Sequence, residues 1–190
     1  METIVFDDGK PAFPAAPSDC VRYYHGSSVL FSPTIEQDGF AMSHQFFSIN
    51  EVLVLEKYAA YMPRYGTSVW RLHEPIRITL TRHFDLALTH AVGQRKGGIA
   101  RGVAEDTTDL LNDVARLFPA EDRAILEAIQ GRYHDIVTSP GVVYAVDLEG
   151  PYCDRLCTPT SDPTYVPFDI PPDRITYKTV VPVDFQPRLL

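Results

Sequence analysis

The order of elements legible in the chain predicts an α+β fold with a mixed or antiparallel sheet, and three observations carry that expectation. Strand-like and helix-like stretches run β-α-β-β, then a block of helices, then β again, not as alternating βαβ units. The run Gly141 to Leu148 is the most strand-like in the chain, and it follows the helical block instead of preceding it. No Gly-rich phosphate loop of the Rossmann or Walker kind is present, so a bound nucleotide must be held in some other way.

The elements follow in order. Residues 1–19 read as an extended arm, because Pro11, Pro14 and Pro17 remove backbone donors and fix the chain locally. Cys20 to Tyr24 is the first convincing strand, with Gly26-Ser27-Ser28 as a turn and 29–39 as an irregular segment that ends at the turn pair Asp38-Gly39. A short apolar strand at Phe46-Phe47 runs into Ser48-Ile49-Asn50-Glu51, a capping-box pattern that predicts a helix from Ile49. Val52, Leu53, Leu55, Tyr58, Ala59 and Met62 give that helix an apolar stripe, and Pro63 stops it. Thr67 to Leu72 and Ile76 to Thr81 read as strands. In the second, Ile76, Ile78 and Leu80 alternate with Arg77, Thr79 and Thr81, which predicts one buried face.

From 84 to 134 the texture changes. This block is helix-prone, with a break at Gly97-Gly98 and amphipathic stretches over Glu105 to Phe118 and Ala120 to Tyr133. Asp106, Asp109 and Asp113 form a polar side that reads as a solvated acidic face, with no second ligand set to make it a metal site. We take the block as a helical insertion, or lid, within a single domain spanning 1–190. The sheet resumes at Gly141, breaks at Gly150-Pro151, passes through a polar loop over Tyr152 to Pro163, and closes with a strand from Ile175 to Val183.

Composition narrows the classes of function. With 190 residues, 45% of them hydrophobic, the chain can bury a core of its own. A net charge of -8 argues against a non-specific grip on nucleic acid or on an anionic membrane. Three cysteines without framework spacing suggest free thiols in a reducing compartment, and Cys153 with Cys157 makes only half of a metal site, so no metal is expected. The start of the chain lacks a secretory pattern, and no stretch approaches the roughly 20 apolar residues of a membrane helix. A cytoplasmic protein of the producing cell is expected, and export as an effector by a signal-less route would leave the same sequence.

The stretch that gathers chemistry is Arg22-Tyr23-Tyr24-His25-Gly26-Ser27-Ser28. A histidine at a strand end can hold a polar ligand in one orientation, and a glycine beside it lets a flat ligand approach the main chain. Tyr24-His25-Gly26-Ser27, then Phe46-Phe47-Ser48 opening a helix, then Val143 to Asp154 with Gly150-Pro151-Tyr152 inside it, resembles the ADP-ribosyltransferase superfamily. The pieces are most similar to those of the small bacterial rifamycin ADP-ribosyltransferases, which read Tyr-His-Gly-Thr, Tyr-Phe-Ser and Val-Glu-Pro-x-Gly-Pro-Phe-Glu-Asp-Asp. The run from Asp162-Pro163-Thr164 to Arg174-Ile175 continues the likeness, which covers residues 21–62 and 141–183.

The resemblance implies a split sheet whose cleft binds NAD, as co-substrate, in a bent form, with nicotinamide against the backbone of Gly26. It implies that His25 is the ribose ligand, Phe46 the stacking residue and Asp154 the acid that steadies the cation formed as nicotinamide leaves. Ser27, Phe47, Ser48 and Tyr58 complete the implied cofactor surface. Phe46 stands where the family has tyrosine, so Phe47 or Tyr58 is an alternative for its role. The wider superfamily places the acid just before the final strand pair, which points instead to Asp162 or Thr164. The implied activity is mono-ADP-ribosyl transfer to a protein, a small molecule such as a rifamycin, or a nucleic acid. The block at 84–134 has no counterpart in the rifamycin enzymes and sets the acceptor apart from theirs. An RNA 2′-phosphotransferase of the same fold group, or an inactive NAD-binding interaction module, are the alternatives, and a partner protein that blocks the cleft fits either role.

Overall fold

A computed structural model describes residues 1–7, 11–42, 47–62, 78–93, 99–114, 118–156 and 163–186. The fold is α+β. Its main sheet has four strands in the order β1-β6-β4-β2, formed by β1 (Glu2–Thr3), β2 (Cys20–Ser28), β4 (Gly141–Glu149) and β6 (Ile175–Val181). Strands β2 and β6 both run antiparallel to β4, whereas β1 is parallel to β6, so the sheet is mixed. A two-stranded sheet of β3 (Ile78–Leu80) and β5 (Thr164–Val166) meets β2 through a single bridge, Tyr24 to Thr81.

Strand β4 is the axis of the molecule. Residues 141–148 are all buried, and this is why the run is apolar at nearly every position and not alternating, with Asp147 the one charged residue in it. One of its faces packs Val142, Tyr144, Val146 and Leu148 against Tyr23, Ile78, Leu80, Phe168, Ile170 and Ile175. The other face packs Val143 against helix α3 (Phe84–Ala91). That helix approaches the sheet closely. A Cβ on Gly26 would lie 1.9 Å from the Ala87 carbonyl oxygen, and one on Gly141 would lie 1.8 Å from that of Ala91. Two glycines on the same face of the sheet, one on β2 and one on β4, are what let the helix lie down.

This packing corrects the expected turn at Gly26-Ser27-Ser28. The strand continues through all three residues, with Gly26 opposite Val143 and Ser28 opposite Gly141. The glycine serves helix packing, and its φ is not positive. The true turn glycine is Gly39, with φ of 76° and Ile170 against it, and it ends helix α1 (Ser32–Asp38), which occupies most of the segment read as irregular. The proline-rich arm also begins with strand pairing, as Glu2 and Thr3 pair with Tyr177 and Lys178.

Helix α2 (Ile49–Tyr58) starts where the capping box predicts. The Ser48 hydroxyl accepts from the Glu51 amide, and the Glu51 carboxylate accepts from the Ser48 amide at 2.7 Å. Its apolar stripe differs at one position: Leu53 is 55% exposed and Val54 is buried in its place. Phe47 sits in a bend and not in a strand, while Phe46, the strand at 67–72 and the helix stop at Pro63 lie outside the described residues. Helices α4 (Ile99–Val114) and α5 (Ala120–Thr138) pack with α2 around Val103, Leu110, Leu126 and Ile129. The block from 84 to 134 therefore divides, its first helix covering the sheet and its next two building a separate helical layer. Asp106, read as part of a solvated acidic face, is fully buried, because the α4 side that carries it turns inward, whereas Asp109 is exposed. A short helix, α6 (Gly150–Cys153), begins the segment read as a polar loop, with Pro151 in its first turn. Among the described residues, no helix is long and apolar enough to cross a membrane.

On the α3 side of the sheet, Arg22 and Asp147 stand directly opposite each other on β2 and β4. Arg22 donates from Nε to Asp147 Oδ1 at 2.7 Å and from Nη2 to Oδ2 at 2.6 Å, and the Thr176 hydroxyl donates to the same Oδ2 at 2.9 Å. The hydrogen bonds that Arg22 donates to Asp147 hold its guanidinium above its ordinary pKa, against a burial cost that acts the other way. The third guanidinium nitrogen donates to the Pro14 carbonyl, so the pair also fastens the amino-terminal arm. Both side chains are nearly inaccessible, so losing one leaves an uncompensated buried charge. Arg22→Met should therefore lower stability by about 3–5 kcal/mol. Arg22→Met with Asp147→Leu should recover most of that loss in urea unfolding, and a single variant as stable as wild type would contradict this account.

Candidate functional site

The candidate site lies where β2 and β3 part. Tyr24 and Thr81 exchange both backbone bonds, Tyr24 N–H to Thr81 O at 2.7 Å and Thr81 N–H to Tyr24 O at 3.0 Å. In an antiparallel strand the backbone groups of successive residues point to opposite edges, so those of Gly26 point the same way as those of Tyr24, toward β3. The register would next pair Gly26 with Thr79. That pair does not form, because the bridge stays isolated. The Thr79 carbonyl instead lies 2.8 Å from His25 Nδ1.

A carbonyl only accepts, so His25 Nδ1 carries the hydrogen and Nε2 keeps its lone pair. Burial lowers the His25 pKa below its ordinary 6.5, the Thr79 hydrogen bond works against that, and His90 adds to the lowering. The imidazole is thus a neutral acceptor of fixed tautomer. Its ring meets Phe40 edge-on at 4.7 Å, and Phe40 meets the Tyr144 ring at 5.7 Å. Tyr144, opposite His25 on β4, shares a 2.7 Å hydrogen bond with the Ser32 hydroxyl, and burial pushes its phenol up to about 12. This buried network supports the imidazole from beneath with groups that stay uncharged at neutral pH.

Residues 40–42 are held against the other end of the fold. Phe40 and Ile170 exchange backbone bonds, and the Met42 amide donates to Asp169 Oδ1 at 2.7 Å. The segment that leads toward Phe46 is therefore anchored on both its backbone and a carboxylate. Asp38-Gly39 was the sequence signal for this corner. Nothing in the sequence distinguishes the Thr79 carbonyl, since any residue supplies one.

The remaining sequence candidates scatter. His25, Gly26 and Ser27 are adjacent on β2, with Ser27 on the His25 side. Phe47 and Tyr58 belong to the core of the helical layer, a different cluster from the one that holds Phe40 and Tyr144. Phe47 lies under the Arg132 guanidinium at 5.7 Å, and Tyr58 packs on Phe118 at 4.4 Å while its hydroxyl donates to Asp122 Oδ2 at 2.6 Å. Both rings are occupied by packing, because the α2 stripe that carries Tyr58 is needed to close that layer. Ser48 is occupied as the α2 cap. Its partner Glu51 is raised by burial but held lower overall by the Ser48 amide and by Arg132, whose Nη1 is 2.9 Å from Oε1.

Asp154 is exposed and follows α6, beyond the Cys20–Glu149 end of the ladder. That end is five residue pairs from His25 and Tyr144, about 17 Å along the strand. Phe46 and Asp162 lie outside the described residues, as does Cys157. Thr164 is buried at the start of β5, opposite Leu80, and Tyr165 is opposite Thr79. Cys20 and Cys153 are free thiols, and no group of His, Cys, Asp and Glu among the described residues could hold a metal ion.

Comparison with known proteins finds no family model that matches the chain, no similar curated protein and no similar solved structure.

A histidine kept neutral by its surroundings makes stability depend on pH. The unfolded chain takes up the proton at the ordinary value, and the folded chain does so only at lower pH. The stabilising contribution is complete above about pH 6.5 and is lost as pH falls through the depressed folded value. The urea midpoint should therefore fall between about pH 7.5 and pH 5 by more in wild type than in His25→Gln. Equal slopes in the two proteins would show that His25 titrates normally.

Proposed function

We propose that the chain is an NAD-consuming mono-ADP-ribosyltransferase whose cleft is the opening between β2 and β3. The observation that carries the reading is the pairing of an open backbone edge at Gly26 with a neutral imidazole beside it. A carboxamide offers one acceptor and a donor side by side, which matches one backbone N–H and one C=O of a single strand residue. His25 Nε2, as an acceptor, suits a ribose hydroxyl. The residues are adjacent in sequence, so a ligand that spans nicotinamide and a ribose meets both without any rearrangement.

In the proposed reaction the bond between nicotinamide and its ribose breaks, nicotinamide leaves with the bonding electron pair, and positive charge develops on the sugar. A nucleophile of the acceptor then bonds to the anomeric carbon and loses its proton. A carboxylate near the sugar stabilises the charged transition state more than the ground state. Of the two candidates we favour Asp162. It stands two positions before Thr164, the first residue of β5, with Pro163 between them, and β5 pairs with β3, whose Thr79 holds His25. Asp154 stands at the far end of the β2–β4 ladder. Of the arginines that the phosphotransferase alternative would use, Arg22 is paired with Asp147 and Arg174 with Glu149, and Arg64 lies outside the described residues, so the alternative has less support.

Nicotinamide release from NAD should be measurable when the protein is incubated with cell lysate, a rifamycin or nucleic acid as acceptor. His25→Ala and Asp162→Asn should each reduce the rate by about 10²–10³-fold, with Asp154→Asn near wild type. The reverse ranking would move the acid to Asp154. Absence of release with every acceptor, together with NAD binding, would leave the interaction-module reading.

A further inference from the structure

We propose that His25 is the wedge that keeps the edge of β2 open. The inference rests on the cleft reading only for its consequence, since the geometry concerns backbone pairing alone. Tyr24 and Thr81 form a two-bond antiparallel pair, and the next such pair in that register is Gly26 with Thr79. β3 is a regular strand here, with Ile78 opposite Val166 and Leu80 opposite Thr164 on its far side, so its Thr79 groups face β2. β2 is equally regular, with an unbroken register against β4 from Cys20 to Ser28. Neither strand therefore carries a bulge that would explain why pairing stops after one bridge. The Thr79 oxygen that Gly26 N–H would reach is taken by the side chain of the preceding residue, His25 Nδ1, at 2.8 Å.

The imidazole substitutes for the main-chain donor. It keeps the Thr79 carbonyl satisfied and leaves the Gly26 N–H and C=O facing the gap. Phe40 meets the ring edge-on at 4.7 Å and restricts it to this orientation. His25 is on this account a positioning residue for the Gly26 backbone as well as a ligand contact in its own right. Its two nitrogens divide the work: Nδ1 holds the strands apart and Nε2 remains available as an acceptor.

Amide hydrogen exchange followed by NMR tests the wedge without reference to catalysis. In the wild type the Tyr24 amide should be protected and the Gly26 and Thr79 amides should exchange fast. In His25→Val, which has no donor, Gly26 and Thr79 should pair, and exchange at both amides should slow by roughly tenfold or more. His25→Gln, whose side-chain amide can still donate to the Thr79 oxygen, should leave Gly26 fast. His25→Thr, too short to reach, takes the place of the valine variant should that fail to fold. If Gly26 exchanges as fast in His25→Val or His25→Thr as in wild type, the strands are held apart by something else and the wedge is refuted. Titration with nicotinamide alone, read as a shift of the Gly26 amide signal in wild type, separates the two levels. Its absence would count against the cleft reading while leaving the exchange result standing.

Discussion

The rest of the fold depends on β4 being buried on both faces. A strand with eight consecutive buried residues must be covered from both sides, and the two covers are built differently. One is a core of large side chains, with Tyr23, Tyr144, Phe168 and Ile170 among them. The other is a helix laid almost on the backbone, which only Gly26 and Gly141 permit. Burial of this kind supplies most of the favourable free energy of folding, at about 25 cal/mol per Å² of apolar surface removed from water. It also fixes register. A shift of β2 by one residue would put Tyr23 under α3 and drive a side chain into the Ala87 carbonyl.

That constraint reaches the candidate site through Gly26. The same residue has its Cα face closed by α3 and its backbone edge turned toward β3. A larger residue would lift the helix from the sheet, so the demand for glycine here comes from packing and is met whether or not a ligand binds. The buried ion pair of Arg22 and Asp147 works on the same face two steps along, where the arm packs against the sheet. Arg22 binds the Pro14 carbonyl, and Phe13 sits 5.8 Å from both Tyr24 and Phe84. The proline-rich segment is thus a continuation of the α3 cover, built from a strap of chain instead of a helix.

The sequence was most legible where one local rule decided the outcome. The capping box at Ser48 and Glu51, the alternation through Ile78 and Leu80, the turn at Gly39 and the apolar run of β4 each follow from neighbours within a few residues. Reading failed where a distant partner overruled the local signal. Gly26-Ser27-Ser28 has turn composition but is held in a strand by Val142, Val143 and Gly141, more than a hundred residues away. Asp106 has the helical spacing of a solvated face, yet its side of α4 points into the protein. Leu53 has an apolar side chain on the exposed side of α2. At the site, His25 and Gly26 were legible as a pair, but the Thr79 carbonyl and Phe40 were not, because their roles come from position and not from residue type.

An open strand edge inside a folded domain requires an explanation of its own. Backbone groups removed from their ladder cost about 1–3 kcal/mol each where they are not otherwise satisfied, and exposed edges invite unwanted pairing. Proteins usually blunt such edges with charge, proline or a covering element. Here the neighbouring strand is present, in register and already paired once, so closing the edge would take one further step of an existing ladder. The ladder is interrupted by a half-buried side chain that is itself held neutral and packed by Phe40, which adds a cost of its own. Two unfavourable choices at one place, in a sheet that is regular elsewhere along β2, are hard to reconcile with selection for stability alone. On the proposed reading they are reconciled, because the freed donor and acceptor are offset by a ligand that presents the complementary pair, and the interruption, more than any single residue type, marks the place proposed for it.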